Sequence, residues 1–306
     1  MFVHTLIVVR VAPPKLRIGL AGLLLGCLGG VGCNVERVAS GGPTAPSPLP
    51  PGAAIQYAAV GASDVTGYGS SMPCLLADCP DGMGYVAQAA RQLRSQGYTV
   101  GVANLGIPTA VIGPGFQSLG IQYGRFIAGN FLQQEAPFVP RNANVVTIFA
   151  GANDVNVLTA ALGGGAGGSD PARFIDDQVE RFADDYRALV EAVRARAGDP
   201  RIVALNLPNL AALPFLANAP PGQRQAAERA SVRMTTRAIN PLGTGSVIVV
   251  DLMCDPRLYE PASLSSDGFH PNDRGYSIMA AEVIRAVTAA TYPTPRSSCP
   301  LMTVAN

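Results

Sequence analysis

A serine, an aspartate and a histidine that lie far apart in the sequence have the types needed for nucleophilic catalysis. The chain has only two histidines, His4 and His270, and His4 belongs to an N-terminal leader. A serine hydroxyl is a weak nucleophile, and a histidine side chain can accept its proton near neutral pH. We therefore expect Ser63 to be the nucleophile and His270 its base. Asp267, three residues before His270, would orient the imidazole by a hydrogen bond.

Attack on a carbonyl also needs hydrogen-bond donors for the negative oxygen that forms. Three donors are candidates for this oxyanion hole: the backbone N–H of Ser63, the backbone N–H of Gly106 and the side-chain amide of Asn153. Each residue has an ordinary alternative, since serine caps helices, and glycine and asparagine form turns. The catalytic interpretation depends on all five residues meeting at one place.

Alternating strands and helices would bring these residues together. Five short apolar runs, of the kind buried on both faces of a sheet, predict strands at 55–61, 98–105, 144–150, 201–207 and 247–252. Helical spacing of apolar residues predicts helices at 83–95, 175–197, 223–239 and 272–290. This order predicts a three-layer α/β/α sandwich around a five-stranded parallel sheet. The candidate residues follow the ends of the first three strands or precede the last helix, where such sheets carry their sites.

The order of these motifs resembles that of the SGNH hydrolases, the GDSL-type lipases and esterases, over about residues 55–290. The matches are to the nucleophile serine, a glycine, the asparagine of a GxND block and the DxxH block. They fall on Ser63, Gly106, Asn153, Asp267 and His270. The resemblance implies a flavodoxin-like fold and ester hydrolysis through an acyl-enzyme. The chain departs from the family where it reads Gly-Ala-Ser-Asp around the serine instead of Gly-Asp-Ser-Leu.

Residues 1–33 are typical of a signal peptide. Basic residues precede an apolar run at 18–31, which is shorter than the roughly 20 residues that span a bilayer. The Leu-Leu-Gly-Cys that ends at Cys27 resembles a bacterial lipobox, whereas the segment before Cys33 matches less well. We therefore predict a lipoprotein anchored through Cys27 to the cell envelope. A plain signal peptide, giving a secreted or periplasmic protein, is the alternative.

The rest of the chain divides into three parts. Residues 34–52, rich in proline, glycine and serine, predict an extended linker. Residues 53–292 hold the predicted hydrolase domain, and 293–306 form a C-terminal tail. The linker would join the membrane anchor to the domain.

Four cysteines remain after the leader, and an oxidising compartment favours their pairing. Three pairings are possible. We favour a local bond between Cys74 and Cys79, which leaves Cys254 to hold the tail through Cys299. A metal site is the competing interpretation, but the chain has neither a CxxC pair nor a histidine near these cysteines. We expect no metal or other cofactor.

Charge and motifs exclude some classes of function. The formal net charge is +1, and removal of Arg10, Lys15 and Arg17 with the leader leaves 19 basic against 21 acidic residues. Such a chain lacks the basic face that nucleic acids require. The first predicted strand is not followed by a GxGxxG or Walker spacing, and the chain has no tryptophan to flank a ring, which disfavours a nucleotide or flavin site.

Two apolar segments, 107–143 and 207–221, leave the predicted site end of the sheet. We expect them to wall a cleft for an apolar acyl group, which would make the substrate a small-molecule or lipid ester. The alternative is that they only extend the core. Two other functions stay open: a carbohydrate acetylesterase on the same fold, and a surface-binding lipoprotein without catalysis.

Overall fold

The computed structural model describes residues 49–75, 78–244 and 246–303. The predicted signal peptide with Cys27, and nearly all of the predicted linker, lie outside the described residues. No helix among the described residues is long and apolar enough to cross a membrane.

A single sheet of five parallel strands forms the centre of the domain. The strands are β1 (Ala54–Gly61), β2 (Thr99–Asn104), β3 (Val145–Phe149), β4 (Arg201–Leu205) and β5 (Val247–Val250). They lie in the order β2-β1-β3-β4-β5. The chain therefore moves outward from β1 to β2 and then crosses back to β3, which opens a crevice at the carboxyl ends of β1 and β3.

Seven α-helices are found among the described residues. They are α1 (Tyr85–Ser95), α2 (Pro114–Gln122), α3 (Phe131–Gln134), α4 (Ala152–Gly163), α5 (Pro171–Ala197), α6 (Pro221–Arg233) and α7 (Asp273–Thr288). The helices α1 and α7 pack together, and α4 and α5 both pack on α6. Together with the parallel sheet, they form the predicted three-layer sandwich.

All five predicted strands and all four predicted helices are present. Their ends shift by up to four residues, except at the C-terminal end of the helix predicted at 223–239. The predicted helix at 223–239 is α-helical only to Arg233, after which Met234–Ile239 is a π-helix. The sequence pattern did not predict α2, α3 or α4. The first two lie in the segment 107–143, where glycine and proline obscure the helical period, and α4 begins at an Ala-Asn-Asp sequence that is typical of turns.

Both favoured cysteine pairs are bonded, with the Cα atoms of each pair 5.9 Å apart. Cys299 and the two residues Leu301 and Met302 pack against Met253, Cys254 and Val232 in a small apolar cluster. The C-terminal tail is therefore held on the domain as far as the structure describes it.

Candidate active site

The turn that follows β1 carries Ser63. β1 ends at Gly61, and this position requires glycine. Its φ is 151°, and a Cβ there would collide with the Phe149 carbonyl and the Val65 side chain. The carbonyl of Ser63 accepts hydrogen bonds from the Thr66 hydroxyl at 2.7 Å and from the Tyr68 N–H at 3.0 Å. The turn therefore fixes the backbone on which the serine hydroxyl is mounted.

Ser63, His270 and Asp267 form one hydrogen-bonded chain. Ser63 Oγ lies 2.9 Å from His270 Nε2, and His270 Nδ1 lies 2.6 Å from Asp267 Oδ2. With Nδ1 protonated, Nε2 is free to accept the serine proton. The three residues have the geometry needed to activate a serine nucleophile.

Asp267 is held by donors from its own turn. Its Oδ1 accepts hydrogen bonds from the Ser265 hydroxyl at 2.7 Å, the Phe269 N–H at 2.8 Å and the His270 N–H at 2.9 Å. Partial burial favours the neutral acid, but the bonds from His270, Phe269 and Ser265 outweigh it and lower the pKa of Asp267 to about 2. Asp267 is therefore a carboxylate at any pH near neutrality.

The aromatic side chains of Tyr68 and Phe269 flank the His270 ring. Each ring centroid is 4.7 Å from that of the imidazole, in edge-to-face geometry. Phe215, from the segment after β4, packs on Phe269 at 4.9 Å. The side chain of Tyr68 is 54% exposed, so the mouth of the site offers an accessible apolar surface.

The three candidate oxyanion donors differ in whether they already donate a hydrogen bond within the protein. The N–H of Ser63 has no hydrogen-bond partner among the described residues. Asn153 lies in the first turn of α4 and donates one amide proton to the Ala110 carbonyl at 2.9 Å, which leaves its second proton for a ligand. The N–H of Gly106 already donates to Asn104 Oδ1 at 3.0 Å, so it joins an oxyanion hole only if it shares or releases this bond.

The sequence model of the GDSL-like lipase/acylhydrolase family matches residues 59–278, which is most of the chain. The chain belongs to this family. Its members are ester hydrolases, and the serine, histidine and aspartate described above lie inside the matched region.

Solved structures of lipases are similar to this acylhydrolase in fold. A lipase from a goat rumen metagenome, Lip_vut3, has a TM-score of 0.53 and 18% identity, over 76% of this chain and 98% of that one. The extracellular lipase of Streptomyces rimosus has a TM-score of 0.53 and 17% identity, over 76% of this chain and all of its own. A search of curated proteins with this sequence gave no match.

Three buried carboxyl groups of the acylhydrolase were not predicted to belong to the site. Asp64 directly follows the nucleophile, and burial raises its pKa more than the His270 charge lowers it. Glu135 Oε2 accepts the Gly61 N–H at 2.8 Å, and burial raises its pKa well above the usual value. Asp154 Oδ1 accepts the Ile112 N–H at 3.0 Å. Asp64 and Asp154 directly follow the predicted site residues Ser63 and Asn153. This adjacency is the only sequence signal that could have indicated them.

Two small cavities border residues that adjoin Ser63 and His270 in sequence. A cavity of about 30 Å³ is lined mainly by apolar side chains, among them Leu210, Leu213 and Phe269, together with Asp64. A second cavity of about 10 Å³ lies against Asn153. Leu210, Leu213 and Leu216 are each at most 3% exposed. The segment 207–221 therefore borders the site, but most of its apolar side chains fill the core.

Metal ligands are not grouped in this part of the protein. Among the described residues, no three histidine, cysteine, aspartate or glutamate side chains are placed to hold one ion.

Proposed function

We propose that this acylhydrolase is an exported serine esterase that cleaves carboxylic esters with an apolar acyl group. The observation that carries the proposal is the unbroken chain of hydrogen bonds from Ser63 through His270 to Asp267. It lies at the carboxyl end of the sheet, beside exposed aromatic surface.

The reaction starts when Ser63 Oγ bonds to the ester carbonyl carbon. His270 Nε2 takes the serine proton, and the Asp267 carboxylate stabilises the imidazolium that forms. His270 then gives this proton to the leaving alcohol as the C–O bond breaks, which leaves an acyl group on Ser63. His270 then takes a proton from a water molecule, which attacks the acyl-enzyme. The acid leaves as the bond to Ser63 breaks and His270 returns the proton to Ser63 Oγ.

The oxyanion is held by the N–H of Ser63 and the second amide proton of Asn153, with Gly106 as a third donor once its N–H turns from Asn104. Loss of one such donor typically costs about 2.7–4 kcal/mol of transition-state stabilisation. Asn153 lies in the first turn of α4. The partial positive charge at the N-terminal end of this helix therefore also favours the negative oxygen.

The preference for an apolar acyl group is inferred from the apolar side chains near the two turns that carry Ser63 and His270. The 30 Å³ cavity is lined by leucine and phenylalanine side chains, and Tyr68 extends apolar surface toward solvent. Each methylene that leaves water against such a surface contributes roughly 0.8 kcal/mol. Esters of a few carbons or more should therefore react faster than acetates.

Labelling with an alkyl fluorophosphonate tests the nucleophile. We expect the intact mass to rise by one adduct in the wild-type protein and in Ser95→Ala, whose exposed hydroxyl bonds only its own helix. The adduct should be absent in Ser63→Ala. Labelling that survives Ser63→Ala contradicts the assignment, and absence of any adduct in wild type favours a binding protein without catalysis.

Substrate preference is tested with p-nitrophenyl acetate, butyrate and octanoate beside acetyl xylan. We expect kcat/KM to rise from acetate to butyrate, and acetyl xylan to be the poorest substrate. Faster release of acetate from acetyl xylan would instead identify a carbohydrate acetylesterase.

The location of the protein is part of the same proposal. The predicted leader and the lipobox-like sequence at Cys27 support export and attachment to a membrane through a lipid. Expression in a bacterium with labelled palmitate should label the wild-type protein and not Cys27→Ser, with Cys33→Ser as the matched control. Labelling lost in Cys33→Ser and kept in Cys27→Ser would move the anchor to Cys33.

A further inference from the structure

A groove of about 760 Å³ lies between the C-terminal end of α4 and the N-terminal ends of α5 and α6. Its lining is mostly apolar or small, and includes Ala160, Leu162 and Ile175. Sites for small molecules typically measure about 300–1,000 Å³, with apolar walls and a few polar groups. The groove has this size and character.

The groove is separate from the nucleophile. Asn153 lies in the first turn of α4, while Thr159 to Gly163 of the same helix line the groove. With a rise of 1.5 Å per residue, the groove end of α4 lies up to about 15 Å along the helix from Asn153. A ligand in the groove would therefore not have to touch Ser63.

A row of three arginines reaches the groove. Arg229, which lines it, is followed at intervals of four residues by Arg233 and Arg237 on the same helical face. All three approach one carboxylate, Asp176 of α5, with Arg229 Nη2 at 3.1 Å, Arg237 Nη1 at 3.9 Å and Arg233 also paired. These four residues are called the arginine cluster below.

The arginine cluster keeps an excess of positive charge. Partial burial favours neutral Asp176, but hydrogen bonds and charges of Arg229 and Arg233 outweigh this and lower its pKa. Three guanidinium groups thus face one carboxylate, a net charge of +2. Arg229 Nε is buried and has no hydrogen-bond partner among the described residues. The Arg229 side chain as a whole is 26% exposed and lines the groove, so it can donate to an acceptor placed there.

We propose that this groove is a second, non-catalytic site that binds a single-chain amphiphile with an anionic headgroup. The alkyl chain lies along the apolar walls, and the headgroup accepts hydrogen bonds from Arg229. The planar guanidinium group can form two parallel hydrogen bonds with either a carboxylate or a phosphate. The headgroup is thus that of a free fatty acid or of a single-chain phospholipid.

Calorimetric titration of the Ser63→Ala protein tests the site without hydrolysis. The probes are dodecanoate and dodecyl phosphate, each below its micelle concentration, and dodecanol below its solubility limit. We expect one of the anions to bind saturably with one ligand per chain, and dodecanol to bind at least tenfold more weakly. The stronger anion distinguishes a carboxylate from a phosphate headgroup. Absence of saturable binding by both anions overturns the proposal.

Two variants in the same background locate the ligand. Arg229→Gln should weaken binding of the anion at least tenfold and leave that of dodecanol unchanged. Gly163→Trp should abolish binding of all three, because a Cβ at Gly163 meets nothing within 4 Å and the added ring can fill the groove. Unchanged affinity for the anion in both variants overturns the proposal.

Matched controls lie away from the groove. Arg187→Gln removes an exposed arginine of α5 that pairs with Asp184, and Gly115→Trp adds the same ring at another glycine with open space around it. Both should bind as the parent does. In wild-type protein, prior labelling of Ser63 by the phosphonate should leave dodecanoate binding intact; loss of binding would place the ligand in the catalytic site and overturn the proposal.

Discussion

At the scale of single residues, the site depends on which ring nitrogen of His270 carries the proton. The Asp267 carboxylate, 2.6 Å from Nδ1, favours a proton on that nitrogen and leaves Nε2 to face Ser63. The low pKa of Asp267, about 2, keeps its carboxylate charged near neutral pH.

Substitution of either residue should therefore reduce kcat strongly. We expect His270→Ala to lower kcat with p-nitrophenyl butyrate about 10⁶-fold, the scale of such losses in serine hydrolases. Asp267→Asn keeps the size of the side chain but not its charge, and should lower kcat about 10⁴-fold. KM should change little in both. Full activity in either variant would refute the proposed roles.

Asp154 makes the stability of the protein depend on pH. Burial, more than the charge of nearby Asp185, raises the pKa of Asp154 to about 7, although the Ile112 N–H bond opposes this shift. Between about pH 4 and 7 the folded chain keeps the Asp154 proton that the unfolded chain has lost. The contribution of this group to stability is therefore fully present below about pH 4 and is lost as pH rises through 7.

The substitution Asp154→Asn removes this titration and keeps an acceptor for the Ile112 N–H. From pH 5 to 7, the free energy of unfolding should fall by about 2 kcal/mol more in wild type than in Asp154→Asn, since one proton corresponds to about 1.4 kcal/mol per pH unit. Urea denaturation at the two pH values measures the difference. Equal pH dependence of the two proteins would show that Asp154 titrates as an ordinary exposed acid.

At the scale of elements, the start of α7 positions the catalytic turn. Asn272 Oδ1 accepts the N–H groups of Arg274 and Gly275, and its Nδ2 donates to the carbonyls of Ala262 and Leu264, both at 2.9 Å. One side chain thus caps the helix and ties the turn that carries His270 to the preceding segment.

Asn272→Ala should lower both stability and kcat. Loss of a cap costs about 1 kcal/mol of unfolding free energy, and the lost bonds to Ala262 and Leu264 add to it. The matched control is Asp170→Ala, which removes the cap of α5 that bonds the Arg173 N–H at 2.9 Å. The control should lose similar stability and keep kcat. An equal loss of kcat in both variants would mean that general destabilisation, and not the position of His270, controls activity.

At the scale of the whole molecule, the two disulfides contribute unequally to the free energy of unfolding. Cys254 and Cys299 are separated by 45 residues, whereas Cys74 and Cys79 are separated by only five. A longer closed loop removes more entropy from the unfolded chain, by roughly 4 kcal/mol for the first bond against roughly 2 kcal/mol for the second.

We therefore expect Cys254→Ser with Cys299→Ser to destabilise the protein more than Cys74→Ser with Cys79→Ser. Hydrogen exchange should show loss of protection first in the tail, since Leu301 and Met302 pack in the cluster that this bond closes. The sheet should stay protected in both pairs of variants. Earlier exchange in the sheet than in the tail would contradict this order.

The strand order and the packing of the helices together bring Ser63 and His270 close to each other. β1 lies inside the sheet between β2 and β3, so the turn after it opens on the crevice. α7 packs on α1 and presents its N-terminal end at the same edge. The strand order depends on pairing between distant segments, so it cannot be inferred from any one of them alone.

The sequence by itself determined the fold class and the identity of the candidate catalytic residues. Runs of valine and isoleucine mark strands that are buried on both faces, and the periods of the long helices are clear because each covers one face of the sheet. A single histidine after the predicted leader left one candidate for the base, so His270 could be named without a structure.

Only the tertiary structure decided how the space around that site is filled. From the sequence, Leu210 and Leu213 fit a pocket wall or the core equally well. The structure buries both, and they line a cavity of about 30 Å³ together with Asp64. The engagement of the Gly106 N–H by Asn104 and the burial of Glu135 against Gly61 also depend on contacts between distant segments. Such contacts depend on how whole elements pack, and the local pattern of residue types does not contain that information.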